Sequence, residues 1–217
     1  MKLKRSKLTH KQTDELLKLF VAGSTARGAG DVVDVNRNTA INFFRRIRER
    51  IAVHQEQELS FYGEVEVDES YFGGRRKGKR GRGAAGKIPV FGILKRNGKV
   101  FTCTIKNAKK ETLIPIIKKK VLPDSIVYSD TFRSYDSLNV EGYHHVRINH
   151  SKQFAKHKFN HINGIENFWN QAKRHLRRFN GIPKETFYLY LKECEWRFNG
   201  GNNRDLLISL RKIMSEC

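Results

Sequence analysis

The sequence predicts an α/β fold, a mixed sheet with helices on both faces, preceded by a small all-helical domain. Three observations predict it. Apolar residues across 8–53 recur at helical spacing. Residues 62–68 instead alternate with period two, and Asn97-Gly98 lies between strand-like runs at 90–95 and 99–105, the strongest short-range hairpin signal. From residue 111 onward helical and strand patterns take turns. A chain of 217 residues has room for one or two domains. The texture changes place a helical domain at 1–53, a polar linker at 54–61 and a second domain at 62–217.

In the first domain Thr9 can cap a helix with Leu16, Leu17, Phe20 and Val21 on its apolar face, and Gly23 ends it. A second helix is expected over 25–33 and a tight turn over 34–36. A third starts near Asn38 or Thr39 with Ile41, Phe44, Ile47 and Ile51 on one face, and Arg45, Arg46, Arg48 and Arg50 mostly elsewhere. This is the helix-turn-helix layout, with the third helix in the recognition position. Arg37 and Asn38 at its start, and Arg45 further on, are residue types that reach bases and phosphates. Gly28 and Gly30 inside the second helix each cost about 1 kcal/mol, and Asp34 stands where Gly is easier. A three-helix module without DNA contact remains the alternative.

In the second domain 62–68 alternates as a strand that ends at Asp68, with Glu64, Glu66 and Asp68 on one face. A basic glycine-rich loop follows at 73–83, then the hairpin of 90–95 and 99–105. A helix over 111–120, a strand over 125–130, a brief helix over 131–138 and a strand around 145–148 come next. Helices over 162–180 and 184–198 close the order. Three strands, helix, strand, helix, strand, helix is the order of a ribonuclease H-like fold.

Charge points to a polyanionic partner. Lys and Arg number 43 against 22 acids, a formal net charge of +21. Residues 71–110 hold thirteen Lys or Arg and no acid, including Arg75, Arg76, Lys77, Lys79, Arg80 and Arg82 of the loop. Residues 142–184 hold nine Lys or Arg, six His and one acid, Glu166. Such one-sided stretches suit a phosphate track. Three scattered cysteines make neither a disulfide framework nor a zinc knuckle. No apolar run is long enough for a transmembrane helix, and the basic start leads into no apolar signal core. The expected compartment is the cytoplasm, with no membrane partner.

Carboxylates that converge from different elements are what two-metal phosphodiester chemistry needs. Asp68 and Asp130 are expected at the ends of neighbouring strands, where a solvated strand end and a helix cap are the plain alternatives. On the helix over 162–180, Ile165, Phe168, Trp169, Ala172, Leu176 and Phe179 form the packed face. Glu166, Asn170, Lys173 and Arg177 share one edge of that face, so the lone carboxylate sits beside two cations. A structural ion pair could also explain this.

Val67-Asp68-Glu-Ser-Tyr-Phe-Gly-Gly74, Tyr128-Ser-Asp130, His161-Ile-Asn-Gly-Ile-Glu166-Asn-Phe-Trp169 with Lys173, and Cys194-Glu-Trp-Arg-Phe-Asn199 resemble the motifs of ISXO-type insertion-sequence transposases, within the DDE transposase and integrase superfamily. Between Asp130 and Glu166 lie 35 residues. The resemblance implies a ribonuclease H-like core and two magnesium ions, with Mn2+ as a substitute, held by Asp68, Asp130 and Glu166. It implies Lys173 beside the cleaved bond. It further implies cutting and joining of DNA at the element's terminal inverted repeats and at a target, by copies of the chain assembled on DNA in a bacterial cytoplasm. The Cys-rich zinc ribbon frequent in relatives is missing from this sequence. Two other readings stay open: a non-catalytic helix-turn-helix DNA-binding protein, and a ribonuclease H-like nuclease or resolvase without strand transfer.

Overall fold

A computed structural model describes residues 8–56, 60–73, 86–130, 133–135, 138–148 and 162–215. The six basic residues expected at Arg75–Arg82 lie outside them. The chain divides into two compact units, Met1–Gln57 with Arg174–Cys217, and Glu58–Lys173.

The second unit is built on a five-stranded sheet of β1 (Glu64–Phe72), β2 (Ile88–Lys95), β3 (Val100–Thr104), β4 (Ile126–Ser129) and β5 (His144–Arg147). Its strand order is β3-β2-β1-β4-β5. The β1–β2 and β2–β3 pairs are antiparallel, and the β1–β4 and β4–β5 pairs parallel. A hairpin running into two parallel neighbours in this order is the ribonuclease H-like topology. The β2–β3 turn forms at Asn97-Gly98, where Asn97 adopts a left-handed φ of 56° as the hairpin requires.

Strand alternation sorts the two faces of the sheet. Val65, Val67, Phe91, Ile93, Phe101 and Val127 point to one face and are buried with Leu113, Ile114 and Ile117 of helix α4 (numbered in chain order; Lys110–Lys120). Glu66 and Asp68 belong to the other face, opposite Leu94 and Gly92 of β2. There lies helix α5 (Asn163–Leu176), which buries Ile165, Phe168, Trp169 and Ala172. A Cβ at Gly92 would stand 2.7 Å from Trp169 Cζ2 and 2.9 Å from Ile165 Cδ1. Glycine there lets the helix lie against the backbone of the sheet.

Several elements differ from expectation. Strand β1 does not end at Asp68 but continues to Phe72, because β2 pairs with it as far as Phe72↔Ile88. In place of a helix over 131–138 the described residues form 3-10 turns at Arg133–Tyr135 and Leu138–Glu141. Helix α5 stops at Leu176, so Arg177 lies beyond its end.

The first unit contains α1 (His10–Val21), α2 (Ala26–Val33), α3 (Arg37–Glu56), α6 (Phe187–Asn199) and α7 (Asn203–Ser215). Thr9 caps α1 with a reciprocal Gln12 bond, and Thr25 caps α2. The α2–α3 turn passes through Asp34 in a left-handed conformation, φ 53°. The expected weakness at Gly30 has a packing reason: a Cβ there would stand 3.2 Å from Ala40 Cβ, so glycine brings α2 close to α3. Helix α3 is three residues longer than the expected boundary at 53, and Ile41, expected on its apolar face, is exposed while Ala40 and Phe43 are buried in its first turns. Helix α7 lies outside the expected order of elements, and with Trp196 of α6 its Leu206, Leu210, Ile213 and Met214 complete one core with Leu16, Phe20, Phe44 and Ile47. These C-terminal helices, expected with the sheet, pack with the N-terminal ones. Among the described residues no helix is long and apolar enough to cross a membrane.

A buried ion cluster ties this unit together. Glu193 on α6 is 1% exposed. It accepts from Arg48 Nε at 2.7 Å, from Arg197 Nε at 2.9 Å, and lies 2.9 Å from His175 Nε2. Arg197 also donates to the carbonyls of Val21 and Phe20, closing the end of α1. Burial pushes the Glu193 carboxyl up, but Arg48, the His175 hydrogen bond and Arg197 together hold it well below the usual carboxylate range. A depressed carboxyl stabilises the fold above its unfolded value of 4.5 and loses that contribution as pH falls below it. Glu193→Ala leaves the buried Arg48 and the half-buried Arg197 guanidinium groups without their carboxylate. It is expected to lower stability by about 3–5 kcal/mol at neutral pH, with a smaller difference from the parent in acid. Thermal unfolding across pH measures this, and a loss below about 1 kcal/mol at neutral pH would contradict it.

Candidate functional site

The sheet brings Asp68 and Asp130 together through register. In the parallel β1–β4 pair Glu64 stands beside Ile126 and Glu66 beside Tyr128. Carried two residues further, the same offset sets Asp130, just past the end of β4, beside Asp68 in the middle of β1. Paired positions in a parallel sheet face the same way, so both carboxylates belong to the α5 face.

Helix α5 is fixed on that face by Glu66. This residue is 2% exposed. Its Oε2 accepts the backbone N–H of Ile165 at 2.9 Å, and its Oε1 accepts from Arg96 Nε at 3.2 Å. A carboxylate on a first-turn N–H satisfies one of the helix's unpaired donors and meets the positive end of its dipole. Gly164 makes the approach possible, since a Cβ there would stand 2.8 Å from Glu66 Oε2. The next residue in the chain, Glu166, is exposed in the first turn of α5.

Asp68 lies in acidic surroundings. The Asp68 carboxyl is pushed up to about 7, first by burial, then by the negative charges of Glu69 and Asp130 and to a smaller degree Glu166, against a backbone hydrogen bond from Glu69. Asp68 thus sits in the field of both other expected acids. No group of three His, Cys, Asp or Glu among the described residues is drawn close enough to hold a metal ion.

Neighbouring groups add to the site. Tyr135, fully buried, donates its hydroxyl to Glu69. Ser129 Oγ lies 2.8 Å from His145 Nε2. Lys173 is exposed on α5, with Nζ 5.9 Å from the centre of the Phe72 ring. In sequence Glu66 is only a strand-face neighbour of Asp68. Alternation showed Glu66 on the right face, but nothing local showed that the start of α5, about a hundred residues on, would claim it.

In the first unit Arg37, Asn38 and Arg45 are exposed, the last paired with Glu49 at 2.9 Å. Arg177 is exposed as well. Arg48 is the exception among the arginines of α3, buried against Glu193. Its position one step from Ile47 suggested the helix surface.

Removing the Glu66 carboxylate strands the Ile165 N–H and takes one partner from Arg96, which keeps Glu64 at 2.8 Å. Glu66→Ala is therefore expected to lower stability by about 2–3 kcal/mol, read by denaturant unfolding at neutral pH. A change below about 0.5 kcal/mol would show that α5 is held without it.

The ISXO2-like transposase domain family matches residues 60–199. An uncharacterised transposase-like protein of Haemophilus influenzae is 59% identical over 116 residues, covering 54% of this chain and 94% of that protein. An uncharacterised protein in the transposable element ISH50 of Halobacterium salinarum is 25% identical over 182 residues, 76% of this chain and 61% of its own length. Among solved structures, the Mos1 strand transfer complex aligns with a TM-score of 0.41 at 12% identity, over 99% of this chain and 78% of that one. A simian T-cell lymphotropic virus intasome in complex with a PP2A regulatory subunit aligns with a TM-score of 0.43 at 12% identity, over 86% and 69%. The strand order and register carry the fold assignment, and the family match over most of the sheet unit and α6 carries the lineage: the chain belongs to the ISXO2-like transposase family.

Proposed function

We propose that the chain binds the terminal inverted repeats of an insertion sequence as double-stranded DNA and catalyses metal-dependent strand cleavage and transfer, with Asp68, Asp130 and Glu166 as metal ligands. The observation that supports this reading most is the parallel β1–β4 register, which pairs Glu66 with Tyr128, each two residues before one of these acids. The raised Asp68 carboxyl supports it, since Asp130 and Glu166 contribute to that rise. Crowded oxygen donors suit hard divalent cations such as Mg2+ or Mn2+. The donor set fits in its chemistry, and charge from two such ions would relieve the repulsion that raises Asp68. When bound, they supply Lewis-acid stabilisation of the attacking and leaving oxygens.

The chain's own residues do the rest. Asp68 is held by β1, Asp130 by the end of β4, and Glu166 by the docked first turn of α5, so the three acids come from three elements of one sheet face. Lys173, two turns along α5 from Glu166, offers its ammonium to a phosphate beside the bond that breaks. In the first unit, α2, the turn at Asp34 and α3 act as a helix-turn-helix, with Arg37, Asn38 and Arg45 on the DNA. The loop arginines and lysines from Arg75 to Arg82, together with Arg177, add phosphate contacts, and copies of the chain assemble on the paired ends.

Asp130→Asn and Glu166→Gln keep shape and remove charge. Each is expected to fold with a melting temperature near the parent's and to lose cleavage and joining of a labelled element end by several orders of magnitude. Near-parental cleavage by Glu166→Gln at fixed magnesium would remove it from the site.

A further inference from the structure

The first unit holds a cavity of about 530 Å³ that the carboxylate chemistry does not use. Four arginines line it, Arg27, Arg45, Arg48 and Arg178, and among the described residues no Asp or Glu does. We propose that this cavity is a phosphate-binding site that takes one backbone phosphodiester of bound DNA, apart from the exposed start of α3 where sequence is read. The proposal rests on the DNA-binding reading above.

The buried Arg48 carries the argument. Its side chain is 5% exposed. The Nε donates to Glu193, and the guanidinium lies 4.1 Å from the centre of the Tyr190 ring and 5.1 Å from that of Phe179. Its Nη2 has no hydrogen-bond partner among the described residues. A buried donor left unmade costs free energy, and a guanidinium is a planar fork shaped to meet phosphate oxygens.

Charge balance agrees. Glu193 is shared by Arg48, Arg197 and His175, so one carboxylate answers two permanent cations. Arg178 donates to the carbonyl of Gly23, a neutral partner. The Arg45–Glu49 pair is exposed and weak. Thr25 and Ala26, at the first turn of α2, also line the cavity and bring the positive end of that helix to it. A net positive, partly aromatic cavity beside α2 and α3 therefore lacks an anion, and the DNA these helices would face carries one on every nucleotide.

The test measures the affinity of the full chain for a short labelled duplex over a range of salt. Arg27→Gln with Arg178→Gln removes two exposed cavity cations that belong neither to the Glu193 cluster nor to the proposed recognition helix. Arg204→Gln with Lys212→Gln, exposed on α7 and outside the cavity lining, removes the same charge elsewhere. The cavity pair is expected to make the slope of log affinity against log salt shallower by about 0.9 for each phosphate that the variant no longer neutralises, and the α7 pair by much less. Arg48→Lys keeps the charge but loses the fork. It is expected to weaken binding several-fold, with thermal unfolding as the control for folding. Equal slopes for the two pairs would overturn the cavity site while leaving DNA binding standing. No duplex binding by the parent would overturn both this site and the DNA reading. Inorganic phosphate at matched ionic strength forms a second arm. If it protects the parent but not the cavity pair from unfolding while duplex binding is unchanged, the cavity takes a free anion and its assignment to DNA is wrong.

Discussion

The proposed carboxylate cluster depends on how closely α5 lies against β1 and β2. Glu166 is carried by a helix, Asp68 by a strand and Asp130 by the residue after one, so the proposed cluster needs that helix seated close to the sheet. Two contacts set the seating. Gly92 leaves the space that Trp169 and Ile165 occupy, and the Glu66 carboxylate holds the Ile165 N–H at the helix start. The apolar contact fixes the distance from the sheet, and the hydrogen bond fixes the position along the strand. Because Glu166 directly follows Ile165, an error at that bond would pass to the carboxylate almost undiminished.

The helical unit follows a different rule. Its apolar core comes from both ends of the chain, and within it a single carboxylate, Glu193, organises two arginines and a histidine. Burying such ions stabilises little by itself, but it makes wrong arrangements costly, since any displacement leaves a charge without its partner. Glu193 and Arg197, one turn apart, thereby join α6 to α1 and α3. The surplus of positive charge is also what sets up the cavity around Arg48.

Much of this was legible in the sequence, and what was missed has a common cause. The packed face of α5 followed from periodicity alone, as did the β2–β3 hairpin and the cap at Thr9, because each is a local rule. The three expected acids could be placed on elements for the same reason. The continuation of β1 beyond Asp68 depends on pairing with β2, which local alternation does not reveal. Arg48 has the sequence context of a surface residue because its partner lies 145 positions away. Helix α7 has regular apolar spacing that was missed, and the packing of α6 and α7 with the N-terminal helices cannot be read from their own pattern. Glycine inside a helix or strand looks like a weak point, yet Gly30 and Gly92 are places where two elements approach too closely for a side chain.

The proposed site requires Asp68, Asp130 and Glu166 to share one electrostatic environment on the α5 face of the sheet. Titration of the Asp68 carboxyl, followed by carbon-13 NMR on the metal-free full chain, tests this most directly. A midpoint near 7 is expected in the parent. Asp130→Asn should move it down toward the ordinary 3.8 and Glu166→Gln should move it less, with burial keeping it raised in both. An ordinary midpoint in the parent, or a raised one that neither substitution moves, would contradict the shared environment.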